Sequence, residues 1–296
     1  MRGDRINGVL LLDKPGGMTS NAALQIARRL LNAAKAGHTG TLDPMATGLL
    51  PLAFGEATKF SADLLNADKS YRATIKLGVT TTTGDGDGTV VATHEVWVSD
   101  EELQMVLSRF VGTIEQVPPM HSAVKHDGQP LYKLARAGSE VERAARQISV
   151  HRLTLVGRNE DELVVDVDCS KGTYVRVLAE DIGSTLGCGA HLSALRRTRA
   201  GRLSVNDAVT LATLEAMAPE LRLAELLPED ELLASLATIL LDDAHAARFR
   251  QGQRLALDAE PRGRRVRVYG GENELLGTAT ISEWGVVEPE RLVTNN

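Results

Sequence analysis

Cysteine is almost missing from this 296-residue chain: Cys169 and Cys188 are the only two, and they form no CxxC pair. The seven histidines are scattered, without the spacing of a zinc site. The expectation is therefore a chain without disulfides, metal or other cofactor. Long hydrophobic runs are also lacking. Val9–Leu12 is too short for a signal core or a membrane span, so the expected location is the cytoplasm. No GxxxxGK[ST] loop accompanies Lys14, and no GxGxxG or GxSxG is present. Asp85-Gly86-Asp87-Gly88 begins like a calcium loop but lacks its later acids, which leaves a tight turn. An enzyme built on this chain is expected to work without nucleotide, metal or a serine triad.

What remains is close to average for a globular protein, with 43% hydrophobic and 24% charged residues, enough to bury a large core. The net charge of −6 is unevenly spread. Residues 215–243 hold eight acids against one base, Arg222, leaving the rest close to neutral. Residues 120–152 carry six bases against three acids, and residues 247–267 seven arginines against two acids. Basic patches beside an acidic stretch fit an RNA binder, and they equally fit solvated faces.

Patterning predicts an α+β fold with a mixed or antiparallel central sheet flanked by helices, not alternating βαβ units. A strand at Val9–Leu12 meets the turn at Pro15-Gly16-Gly17, and Thr19, Ser20 or Asn21 caps a helix running to about Ala34. Residues 37–55 are too irregular for either period. A short helix follows near Ala57–Leu65. Alternation over Tyr71–Val79 predicts a half-buried strand, and a second follows at Val90–Val96. Ser99 and Glu102 form a capping box for a helix to Phe110. Further strands are expected at Ile148–Val156, Leu163–Cys169 and Thr173–Val177, and helices at Leu178–Leu186 and Thr210–Met217. The acidic stretch around Pro219 and Pro228 reads as a linker to a small all-β module from Arg248.

The richest segment for chemistry is Gly37-His38-Thr39-Gly40-Thr41-Leu42-Asp43-Pro44 through Pro51. Its glycines permit close backbone approach, and Pro44 pushes Asp43 out of the helical region. A carboxylate so constrained can be a nucleophile; it can equally be a solvated Asp-Pro turn.

This loop, with Asp13-Lys14-Pro15 before it, closely resembles the catalytic segment of the TruB family of tRNA pseudouridine synthases. Lys69-Ser70-Tyr71-Arg72, then Ser170-Lys171-Gly172-Thr173-Tyr174-Val175-Arg176, then Gly187-Cys188-Gly189-Ala190-His191 with Leu195-Arg196-Arg197, resemble its later motifs in order. The resemblance implies that Asp43 is the catalytic aspartate and that Tyr71 stacks on the target uracil. Tyr174 would be a proton acceptor or positioning group. Arg176, two residues on, would share a strand face with Tyr174 and pair with Asp43, keeping it ionised. His38 would fill space in the tRNA T loop, Lys14 would support the loop or touch phosphate, Leu195 would line the uracil pocket and Asp85 would bond near the site.

The same resemblance implies a catalytic domain over 1–237, with an RNA-gripping insertion at about 119–147, and a PUA-like RNA-binding domain over 238–296. The implied reaction is conversion of uridine-55 to pseudouridine in the T stem-loop of tRNA. It would be run by a monomer without an obligatory protein partner. A carboxylate can do this chemistry by adding to the ring or by trapping the base at the sugar carbon. Competing expectations are a guide-RNA-dependent synthase and a tRNA-folding chaperone with incidental catalysis. A carboxylate hydrolase is disfavoured, since no second carboxylate at acid–base spacing accompanies Asp43.

Overall fold

The computed structural model describes residues 3–122, 124–126, 128–139 and 141–294. Positions 123, 127 and 140, inside the expected insertion, lie outside them. Strand β1 (Gly8–Lys14) leads into α1 (Ser20–Leu30), whose N-cap is Thr19, accepting from the Ala22 amide. Then come β2 (Ala36–His38), β3 (Thr47–Phe54), α2 (Ser61–Leu65) and β4 (Lys69–Leu77). A hairpin of β5 (Val79–Thr81) and β6 (Val90–Thr93) follows. Helix α3 (Asp100–Arg109) is capped by Ser99 and runs into β7 (Gly112–Gln116). The basic segment forms β8 (Lys125–His126), β9 (Gln129–Pro130) and α4 (Leu131–Arg136). The long pair β10 (Arg146–Asn159) and β11 (Glu162–Cys169) precedes α5 (Val175–Thr185) and β12 (Ala190–Ala200). Short β13 (Leu203–Ser204) and β14 (Val209–Thr210) lead to α6 (Leu211–Ala216) and α7 (Pro219–Ala224).

The main sheet runs β14-β1-β3-β12-β4-β11-β10-β7, with β2 on β3 and β13 on β12. It is mixed: β1–β14 and β3–β12 are parallel, and the other pairs antiparallel. Alternation explains β4. Ala73, Ile75 and Leu77 point into the core, while Arg72 on the other face pairs with Asp166 of β11 at 2.8 Å.

Strand β3 overturns the expectation that 37–55 has no regular structure. Every residue from Gly48 to Phe54 is buried, because both faces of the sheet are covered here. Leu50, Leu52 and Phe54 face the cluster under α1, whereas Leu49 and Ala53 face a second cluster with Phe60, Leu64, Leu232 and Leu233. A strand buried on both sides shows no period of two. The same packing corrects the acidic linker: its leucines seal the second face, and Leu227 bonds the Val9 backbone at 2.8 and 2.9 Å.

The remaining chain forms β15 (Ala237–Leu240), α8 (Asp243–Arg250), β16 (Leu255–Ala256), β17 (Arg265–Tyr269), β18 (Leu275–Ile281) and β19 (Val286–Leu292). The strands make one sheet, β15-β17-β18-β19-β16. The module expected as all-β therefore includes a helix, whose Ala246 and Phe249 fill that sheet's core. Arg265 pairs with Asp63, Tyr269 bonds Asp230, and Lys59 donates to the Leu292 carbonyl at 2.8 Å, tying the module to the main body. Among the described residues, no helix is long and apolar enough to cross a membrane.

Candidate active site

The loop between β2 and β3 carries Asp43 and is fastened along its length. Thr39 donates its amide to the Pro51 carbonyl at 3.1 Å. The buried Ser20 hydroxyl both donates to the Leu42 carbonyl (2.9 Å) and accepts from its amide (2.8 Å). The Gly17 amide reaches the Pro44 carbonyl at 2.9 Å, and the Ala46 amide closes a turn on Asp43 at 3.1 Å. Of the two roles expected for Lys14, support of the loop or contact with phosphate, the second is closed to it, because its side chain is wholly buried. Its ammonium donates to the carbonyls of Pro15, Met18 and Pro44 at 2.7–3.3 Å, using all three protons on the loop's base. Burial lowers its pKa to about 8, against the pull of Asp43.

Arg176 stands 3.0 Å from Asp43, Nε to Oδ2, with 5% of the arginine side chain exposed against 38% of the aspartate. The cation is thus walled in, and the carboxylate opens outward. The route to this pair differs from the strand alternation expected. Tyr174 is the N-cap of α5 in extended conformation, and Arg176 already lies in the helix's first turn. The run Thr173–Val177 is too short to hold a strand once Val175, Leu178, Ala179 and Ile182 can bury one helical face. Arg176 also donates to the carbonyls of Thr83 (3.2 Å) and His121 (2.8 Å) and lies 3.4 Å from Asp85.

Asp85 is itself buried. It accepts from the Thr83 hydroxyl at 2.5 Å and the Asp87 amide at 3.2 Å, so it braces Arg176 rather than facing open space. Burial raises the Asp43 pKa above the ordinary carboxylate value. Arg176 and Lys14 pull it down, while Asp85 and Asp87 push it further up. The arginine therefore offsets burial without reversing it.

Tyr71 lies on β4 with its ring packed on the core, and burial raises its hydroxyl pKa. The Asp43 charge acts on that hydroxyl, which places the two in one neighbourhood. Tyr174 is set by Gln116: its amide donates to Gln116 Oε1 at 2.8 Å, and Gln116 Nε2 donates back to its carbonyl at 3.1 Å. It lines a cleft of about 400 Å³ with Gln116, Pro118, Arg146 and Lys171. Leu195 is buried among core side chains. His38 is half-buried, its Nδ1 has no hydrogen-bond partner among the described residues, and burial lowers its pKa. Sequence reasoning missed Ser20 and Gln116, whose only signals were a choice among three caps and a place before Pro118-Pro119. It also gave Arg197 no role.

Comparison with known proteins follows the same ground. Residues 28–175 match the model for the TruB family pseudouridylate synthase N-terminal domain. Residues 176–236 match the tRNA pseudouridylate synthase B C-terminal domain, and residues 237–293 the C-terminal model of pseudouridine synthase II TruB. The chain is 57% identical to a tRNA pseudouridine synthase B of Aromatoleum aromaticum, over 98% of this chain and 93% of that one. It is 55% identical to that of Cupriavidus metallidurans, over 97% and 94%. Among solved structures it resembles one of a Cbf5-Nop10-Gar1 complex, with TM-score 0.76 and 28% identity over 96% of this chain and 84% of that one.

Proposed function

Because the chain belongs to the TruB family of pseudouridine synthases, we propose that it isomerises uridine-55 to pseudouridine in the T loop of tRNA. One observation carries the reading: Asp43 sits 3.0 Å from a buried arginine on a loop fastened at both ends, with its carboxylate open outward. The isomerisation breaks a C–N glycosidic bond, turns the base and rejoins it through carbon, without redox or energy input. Asp43 assists that exchange as the nucleophile. Extruding the base costs a few kcal/mol, and stacking on Tyr71 returns roughly 1–3 kcal/mol. Tyr174 receives or positions the proton that leaves the ring carbon once the new C–C bond has formed.

In this reading residues 1–237 form the catalytic domain and 238–296 a PUA-like RNA-binding domain. The segment 119–147 grips the T stem-loop, whose unpaired bases can be splayed out and read. The enzyme works as a monomer in the cytoplasm, without guide RNA. The alternative reading is a guide-RNA-dependent synthase. Activity of the purified chain on a bare tRNA transcript decides between the two. In the same assay Asp43→Asn protein is expected to bind the transcript as the unaltered chain does and to form no pseudouridine. Turnover by that variant at the unaltered rate rejects the assignment.

A further inference from the structure

Arg197 is only 2% exposed and is, among the described residues, the largest of the fully buried side chains. Among the described residues no carboxylate forms an ion pair with it. Burial lowers the pKa of Lys14, Lys69 and His38, and the Arg197 charge lowers each of them further. A buried cation among like charges is a costly choice where an apolar side chain of similar volume would serve as filler. Its neighbour Arg196 shows the ordinary structural use, reaching over β3 to pair with Asp13 at 2.7 Å.

The donors of Arg197 explain its place. Nε donates to the Leu49 carbonyl of β3 at 2.7 Å, and Nη2 to the Gly40 carbonyl of the Asp43 loop at 3.2 Å. Tyr71 is its direct cross-strand partner in the β4–β12 register; burial raises the Tyr71 hydroxyl pKa, and the Arg197 charge beside it draws it back. A Cβ on Gly40 would stand 3.6 Å from Nη1, so the loop passes hard by this fork. One planar group thus fastens β3 and the Asp43 loop while standing beside Tyr71 of β4.

We infer that Arg197 is a positioning residue for the reaction, holding the Tyr71 hydroxyl and the Asp43 loop in register so that stacked base and carboxylate meet. The inference rests on the roles proposed above for Asp43 and Tyr71. Lysine keeps the charge but offers a single point in place of the fork.

The test measures single-turnover pseudouridine formation on T-arm RNA, RNA affinity by filter binding, and thermal unfolding, for the unaltered chain, Asp43→Asn, Arg197→Lys, Tyr71→Phe and the Arg197→Lys/Tyr71→Phe double variant. Arg197→Lys is expected to bind RNA within about threefold of the unaltered chain and to lose roughly thirtyfold or more in rate. The double variant is expected to lose much less than the product of the single losses, because both changes break one link. A folded Arg197→Lys protein within threefold of the unaltered rate overturns the inference, and so do losses that multiply in full. Should Arg197→Lys not fold, Tyr71→Phe, which removes only the hydroxyl on which the Arg197 charge acts, decides. A tenfold loss of rate at unchanged affinity supports the clamp, and a loss under threefold rejects it. Failure of the unaltered chain itself to form pseudouridine would reject the proposed function instead.

Discussion

Asp43 is a carboxylate whose environment opposes itself. Burial and the charges of Asp85 and Asp87 favour its protonated form, while Arg176 and Lys14 favour the anion. If the anion is the nucleophile, activity falls as pH drops through a pKa lying above the ordinary carboxylate value. Asp87→Asn removes one of the charges that raise it, while the backbone amide of residue 87 can still donate to Asp85. The acid limb of the single-turnover rate should then move to lower pH, and a limb that stays or moves upward counts against the electrostatic account. Individual residues also differ in how far sequence reveals them. Asp43, Tyr71, Tyr174 and Arg176 stand in recognisable motifs. That Lys14 and Asp85 are buried braces and not surface contacts is a matter of what surrounds them.

Among the elements, β3 and β12 show how close approach is arranged. Gly48 on β3 has φ +100, and a Cβ there would lie 2.3 Å from the Arg197 carbonyl oxygen and 2.8 Å from its amide nitrogen. Both obstacles are backbone, which cannot swing aside. Gly48→Ala is expected to cost about 3 kcal/mol or more, from overpacking and a strained dihedral together. Urea denaturation measures this, and a change under about 1 kcal/mol would contradict the packing described. Strands with one wet face, such as β4, were legible from their alternation. Strand β12 was not anticipated, since its two bulges against β4 break the period that would have marked it. Helix α5 begins three residues before its expected start because burial of Val175 and Arg176 favours helix over a short edge strand.

Across the whole molecule, the acidic stretch is a seam. Leu232 and Leu233 pack with Phe60 and Leu64 beneath the main sheet, and Leu275 and Val293 of the C-terminal module join the same cluster. Leu233→Ala should therefore destabilise the main sheet and loosen the module together. The expected loss is about 2–5 kcal/mol by urea denaturation, with faster proteolysis near residues 234–243. Loss of one effect without the other would show that the seam does not join them.

The sequence by itself determined the α+β class, the capped starts of α1 and α3 and the motif residues, because caps, alternation and motif spacing are local signals. It also determined the family, through segments kept in order along nearly the whole chain. Only the tertiary structure decided which charges are buried, that the leucines of the acidic stretch close a core, and that Arg197 lies opposite Tyr71 on the adjacent strand. Those depend on which surfaces meet, and segments far apart in the chain leave no local pattern to announce it.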